Sequence, residues 1–167
     1  MNVAFAADAK GFAGIEVAIY SLLKYTKNVN IYILSMYYER VHEDGYVEQF
    51  YNIQDWQFQK LQKIVQYLDP KGSKITYVDC INYYNMFFLN GVAENDGHSS
   101  PYATLRLVFD QILPNSSDIL YLDADIVVQE DLNPMYYGYL DQIRNSPYCY
   151  AGFTNHLENG RGELVGG

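Results

Sequence analysis

The chain has 167 residues, within the usual range of one domain and long enough to bury a core. Hydrophobic residues make up 49% and charged residues 19%, which excludes the low-hydrophobicity, high-charge signature of a disordered chain. The net charge of −9 argues against a nucleic-acid backbone as partner, which needs clustered Lys and Arg; it suits a divalent cation, or simply solubility.

NVAFAAD, Asn2 to Asp8, reads as a short buried strand that ends in a carboxylate. AKGFAG follows as a glycine-containing turn, and IEVAIYSLLKYT as a helix in which Ile15, Ala18, Ile19, Leu22 and Leu23 recur at helical spacing. VNIYIL is a second strand. Strand, helix, strand is the beginning of an α/β sheet, whose crossovers are right-handed and whose ligands bind at the carboxyl ends of the strands.

From Ser35 to about Gln54 the apolar pattern lapses, and the segment reads as a long loop or insertion around Gly45. DWQFQKLQKIVQYLD is a helix with Asp55 as its N-cap, stopped by Pro70, and KITYVD is a third strand. SPYATLRLVFDQILP reads as a helix opened by Ser100 and Pro101 and closed at Pro114. Leu105, Val108, Phe109 and Ile112 then share a face, and Arg106 and Asp110 share its flank. Arg106 is there open to two roles, an i, i+4 ion pair with Asp110 or a contact to an anionic ligand. DILYLD is a strand, Asn133 and Pro134 start a helix through Ile143, and YCYAGF is a last strand.

Three strands thus end in Asp8, Asp79 and Asp123, and in an open sheet all three are within reach of one crevice. Taken alone, Asp79 reads first as a turn residue or helix cap. Asp123 is followed by Asp125. Acids at i and i+2 point the same way if a strand continues, and diverge around one ion if it breaks into a turn. Their repulsion calls for a cation, and Mg²⁺ or Mn²⁺ with hard oxygen ligands is the natural one. LDADIVV also fits the DxDx[TV] motif of haloacid-dehalogenase-like phosphatases, with Asp123 as nucleophile and Asp125 as general acid. That family needs a downstream lysine, and none follows the motif here.

Cys80 and Cys149 have no paired spacing and read as reduced, small buried hydrophobes. His42, His98 and His156 are scattered, and no GxSxG, GxxxxGK[ST], HExxH or zinc pattern occurs. The N-terminus has no basic segment before its short apolar run, and no run reaches membrane-spanning length. The 18 tyrosines are either a compositional bias or a supply of stacking surfaces.

FAAD at 5–8, AIYSLL at 18–23, SPYATLRLVFDQILP at 100–114 and ILYLDADIVVQEDL at 119–132 together resemble glycosyltransferase family 8, over Asn2 to Phe153. The resemblance implies a GT-A fold, an α/β, Rossmann-like and mostly parallel sheet flanked by helices, with residues 1–167 as a single nucleotide-sugar-binding domain, C-terminally truncated. It implies metal-dependent, retaining transfer of glucose or galactose from UDP-glucose or UDP-galactose to a saccharide or cell-surface glycan. By match to the family's motif, Asp123 and Asp125 ligate Mn²⁺ or Mg²⁺, Ala6 and Asp8 contact the uridine, Ala124 lies against the ribose and Arg106 orients the donor. Phe12 takes the place of the aromatic that stacks on the uracil. The family's later metal-binding histidine and its lysine have no match, and His156 comes too soon to be equated with the former. The expectation is therefore little transfer by this chain alone, with a non-catalytic UDP-sugar-binding module as the alternative. A cytoplasmic protein is expected, reaching the inner face of the membrane only through the part beyond this chain.

Overall fold

Alternation in the first strand builds both faces of the sheet. In β1 (Asn2–Ala6), Val3 and Phe5 point into one apolar cluster, and Ala4 and Ala6 into another on the opposite face. The computed structural model describes residues 1–89, 100–116 and 118–147, and the backbone of 157–158 and 164–165.

Helix α1 (Phe12–Tyr25) buries Ile15, Ala18, Ile19, Leu22 and Leu23 as its periodicity requires, and begins three residues earlier than the sequence pattern indicates. Strand β2 (Asn30–Ser35) pairs in parallel with β1, Asn2 opposite Asn30 through Ala6 opposite Leu34. Helix α2 (Asp55–Leu68) packs beside α1 and is tied to it by a Lys60–Glu16 ion pair at 2.6 Å. Its N-cap is Gln54 rather than Asp55: Gln57 Oε1 accepts from the Gln54 amide at 2.8 Å in a capping box. Strand β5 (Lys74–Asp79) extends the sheet beyond β2.

The segment read as a loop is a hairpin. Strands β3 (Tyr38–Val41) and β4 (Val47–Phe50) pair antiparallel, Tyr38 opposite Phe50 and Val41 opposite Val47. The turn closes at Gly45, whose φ of +82° is one a side chain would oppose. The Gly45 amide donates to the His42 carbonyl at 2.9 Å.

After β5 come a short helix α3 (Ile81–Tyr84) and one wide π turn at Asn85–Leu89. The segment from Ser100 is not the continuous α-helix its apolar spacing predicts. It is a 3-10 helix over Ala103–Val108 followed by one α turn, α4 (Phe109–Ile112). Thr104 Oγ1 takes the Pro101 carbonyl at 2.8 Å, and Leu105 N bonds Tyr102 O at 3.2 Å in the i to i−3 pattern. Leu105, Val108 and Ile112 are still buried, beneath the second face of the sheet.

Strand β6 (Leu120–Tyr121) is shorter than the expected DILYLD run and pairs in parallel with β1 on the side away from β2. The sheet order is β5-β2-β1-β6. The chain thus builds outward from β1 through β2 to β5 and returns to the other side of β1. The switch point lies between β1 and β6, where open α/β sheets bind ligands.

The chain divides into two units, Met1–Asn133 and Pro134–Gly167. Helix α5 (Asn133–Arg144) starts where Asn133 and Pro134 indicate, with Asp131 Oδ1 accepting from the Asn133 amide at 3.0 Å. In the second unit β7 (Leu157–Glu158) and β8 (Leu164–Val165) pair antiparallel. The expected YCYAGF strand, Cys149, His98 and His156 lie outside the described residues.

Candidate donor site at the switch point

Asp8 sits two residues past β1, in the loop that leads into α1. Its Oδ1 accepts from the amides of Lys10 at 3.0 Å and Gly11 at 2.9 Å, capping the 3-10 turn Ala9–Gly11. The loop is held on both sides. Ser35 Oγ donates to the Ala7 carbonyl at 2.8 Å and accepts from the Ile53 amide at 2.9 Å. Ala9 N donates to Tyr51 O at 2.7 Å, and Gln57 Nε2 to Ala9 O at 3.1 Å. Ala6 is the buried last residue of β1.

On the neighbouring strand, the last ladder bond runs from Leu122 N to Ala4 O at 3.0 Å. The chain then breaks into a turn at Ala124 and Asp125, with both Asp123 and Asp125 exposed. The two acids therefore flank a turn and incur none of the burial cost that an apolar strand end implies.

Arg106, on the 3-10 helix, sets its guanidinium over the Tyr121 ring, 5.8 Å from the centroid. Tyr121 was not among the expected site residues. Burial pushes its hydroxyl up to about 12, helped by the charge of Asp123, by its hydrogen bond to Asp123 and by Asp125, and opposed by Arg106. It therefore stays protonated at physiological pH, beside the Asp123 carboxylate. Arg106, Tyr121, Asp123 and Asp125 form one electrostatic cluster. The signal was present: Tyr121 lies two residues before Asp123, on the same side of the strand. Among the described residues Arg106 makes no ion pair with Asp110, whose Oδ2 instead accepts from Gln111 at 2.9 Å. At three residues per turn, i and i+4 no longer share a flank.

Gly14 joins the two halves, and its role was not legible in the sequence. A Cβ placed on it would lie 2.4 Å from the Ala124 carbonyl oxygen and 3.6 Å from Asp125 Cα. The turn between the acids thus rests directly on the backbone of the first turn of α1, just after the Asp8 loop. Farther along, Ser21 Oγ accepts from the Val128 amide at 3.0 Å and Thr26 Oγ1 from the Leu132 amide at 2.9 Å. Helix α1 is a rail to which the chain from Ala124 to Leu132 is fixed at three points.

One expected residue lies elsewhere, and Asp79 is the helix cap that it reads as when taken alone. Phe12 is 7% exposed, its ring edge-on to Trp56 at 5.5 Å between centroids and covered by Lys60 Nζ at 5.6 Å. It serves the packing of α1 on α2, which leaves no free face for a base. Asp79 is separated from β1 by the whole of β2, and its Oδ1 caps the Ile81 amide at 3.1 Å. Cys80, beside it, is a free, buried thiol pushed up to about 12 by burial and then by the charge of Asp79.

Among the described residues no three His, Cys, Asp or Glu side chains gather as a metal site. Two exposed carboxylates flanking one turn still fit a hard divalent ion, which takes one or two protein carboxylates when phosphate oxygens complete its shell.

A parallel sheet with its switch point between β1 and β6, flanked by helices and carrying paired acids there, is a GT-A-type glycosyltransferase fold. The model of glycosyl transferase family 8 matches residues 2–145. The chain belongs to that family. Among solved structures it is similar to the galactosyltransferase LgtC in complex with donor and acceptor sugar analogs, at 22% identity and a TM-score of 0.55, over 81% of this chain and 41% of that one. An active-site variant of LgtC matches equally. The bifunctional glycosyltransferase WbbM in its apo form matches at 14% identity and a TM-score of 0.55, over 81% of this chain and 20% of that one. At these identities the likeness is one of fold, and the chain spans less than half of either protein. No curated protein matches it in sequence. Among the described residues no helix is long and apolar enough to cross a membrane.

Proposed function

We propose that the chain holds the donor of a metal-dependent, retaining hexosyltransferase that moves glucose or galactose from a UDP-sugar to a saccharide or cell-surface glycan. The observation that carries this reading is the pairing of Asp123 and Asp125, on a turn seated against Gly14, with Arg106 and the Asp8 loop across the sheet's switch point. Asp123 and Asp125 would hold Mn²⁺ or Mg²⁺, which when bound supplies Lewis-acid stabilisation of a departing diphosphate. Asp8, with one oxygen committed to the loop, receives the uracil edge, and Ala6 borders it. Ala124 lies against the ribose, and Arg106 faces the anionic donor. Tyr121 stands beside the Asp123 carboxylate. The free Cys80 thiol accords with a cytoplasmic setting.

UDP titration by calorimetry in excess Mn²⁺ tests the assignment. The Asp123→Asn, Asp125→Asn double variant is expected to lose most of the affinity while keeping its thermal transition. Binding that survives the double substitution sinks the metal-clamp reading.

A second reading is a UDP-sugar-binding module that performs no transfer. Release of free hexose or a glycoside from UDP-galactose and UDP-glucose separates the two, since a binding module releases neither.

A further inference from the structure

We propose that the outer face of the β3–β4 hairpin is a carbohydrate platform that holds a neutral glycan beside the donor site, an inference that rests on the donor reading above. The hairpin has one face turned inward, where Tyr38 and Phe50 lie against Tyr84 and Tyr102 at centroid separations of 4.9 and 6.2 Å. The other face carries Tyr37, Glu39 and Val41 on one side and Val47, Gln49 and Tyr51 on the other, with Glu39 opposite Gln49 and Val41 opposite Val47. Tyr37 is 42% and Tyr51 49% exposed, and their rings stand 5.6 Å apart.

The two rings are not loose. The Tyr37 hydroxyl donates to Glu39, the Tyr51 hydroxyl donates to Gln49 Oε1 at 2.7 Å, and Gln49 Nε2 donates to Glu39 Oε1 at 2.9 Å. The hydrogen bond to Glu39 raises the Tyr37 phenol to about 12 and lowers the Glu39 carboxyl, so the network is intact at neutral pH. Exposed aromatic rings fixed in advance bind with little loss of conformational freedom. A pyranose presents a C–H face that lies on such a ring and hydroxyls that meet a carboxylate and an amide at its rim. Tyr37, Tyr51, Glu39 and Gln49 supply that combination in one row.

Charge selects the kind of glycan. Residues 36–51 carry Glu39, Glu43, Asp44 and Glu48 against Arg40 alone, apart from His42, which disfavours an anionic glycan. Position supplies the link to the donor site. The Tyr51 carbonyl accepts from Ala9 N at 2.7 Å, and Ser35 Oγ bridges Ala7 O and Ile53 N, so the foot of the hairpin and the loop bearing Asp8 share their backbone bonds. A glycan on Tyr51 is thereby next to the donor loop.

The test is NMR titration of the 167-residue protein with lactose, maltotriose and, as the anionic control, sialyllactose, with UDP and Mn²⁺ titrated in parallel. The neutral glycans are expected to bind with millimolar dissociation constants and to shift signals of the hairpin, and sialyllactose to bind more weakly. Tyr37→Ala with Tyr51→Ala is expected to weaken neutral-glycan binding by about tenfold or more, while Tyr67→Ala, at an 82% exposed tyrosine of α2, leaves it unchanged. Glu39→Gln provides a second variant that keeps both rings, with a smaller loss expected. UDP binding without neutral-glycan binding, or glycan binding indifferent to these substitutions, overturns the platform. A dimer abolished by the double Tyr variant, seen by sedimentation, also overturns it. Glycan binding without UDP binding supports the platform and removes the donor reading.

Discussion

Gly14→Ala is the sharpest perturbation available, because two effects of opposite sign act on one added methyl. Ordinary van der Waals contact with a Cβ begins at 3.4 Å, and the Ala124 carbonyl oxygen would stand at 2.4 Å, so the two must separate by about 1 Å, an overpacking strain of about 1–3 kcal/mol. Helix α1 does not yield easily: Ile15, Ala18, Ile19, Leu22 and Leu23 are buried along it, and Ser21 and Thr26 hold the following chain to it. The turn between Asp123 and Asp125 moves instead. Alanine meanwhile gains about 1 kcal/mol of helix propensity over glycine, which offsets part of the strain. Global stability should therefore fall by only about 0–2 kcal/mol, whereas displacing the acids by this distance should weaken Mn²⁺-dependent UDP binding by about 10- to 100-fold. Urea denaturation reads the first quantity and calorimetric UDP titration in Mn²⁺ the second. A Gly14→Ala protein with wild-type UDP affinity refutes the argument that this contact places the acids.

Ser21→Ala leaves the buried Val128 amide without its partner and should cost about 1–3 kcal/mol in a urea titration; a loss below experimental error would mean that the rail is not anchored there. Tyr102→Phe removes the buried 2.7 Å bond to the Met36 carbonyl and should lower stability by about 1–2 kcal/mol, read as a shift in urea midpoint at constant slope. The Asp69 carboxyl is held below its ordinary value of 3.8, first by Ser73 Oγ, then by the Asn28 amide. A depressed folded-state value contributes stability that is present above the unfolded value and lost as pH falls through the folded one. The wild type should therefore lose stability on acidification below about pH 4, and Asp69→Asn should show a shallower loss over the same window, measured by urea midpoint against pH.

Much of the sheet was legible because parallel strands buried on both faces leave near-continuous apolar runs, as in NVAFA and NIYIL. The hairpin was misread although its turn carries Asp44 and Gly45, a strong short-range hairpin signal; tyrosines on both faces hid the alternation that distinguishes Tyr38 and Phe50 from Tyr37 and Tyr51. The helix expected from Ser100 has the right buried residues but the wrong pitch, since Thr104 competes for a backbone carbonyl, a local bond that periodicity does not register. At the candidate site, Asp123, Asp125 and Arg106 were readable as charged residues at a strand end and a helix flank. Gly14 was not, because its role depends on which elements lie side by side, whereas Tyr121 carried a signal in its place two residues before Asp123. Phe12 shows the converse: its aromatic character fitted a stacking role, and Trp56, on a helix 44 residues away in sequence, takes the ring.

The most direct measurement is the affinity of the wild-type chain for UDP as Mn²⁺ is varied and finally removed with a chelator. Affinity that rises with Mn²⁺ to saturation and collapses on chelation is the predicted result. Equal affinity for UDP with and without the metal, or none under either condition, would contradict the assignment of Asp123 and Asp125 to a metal-bridged diphosphate.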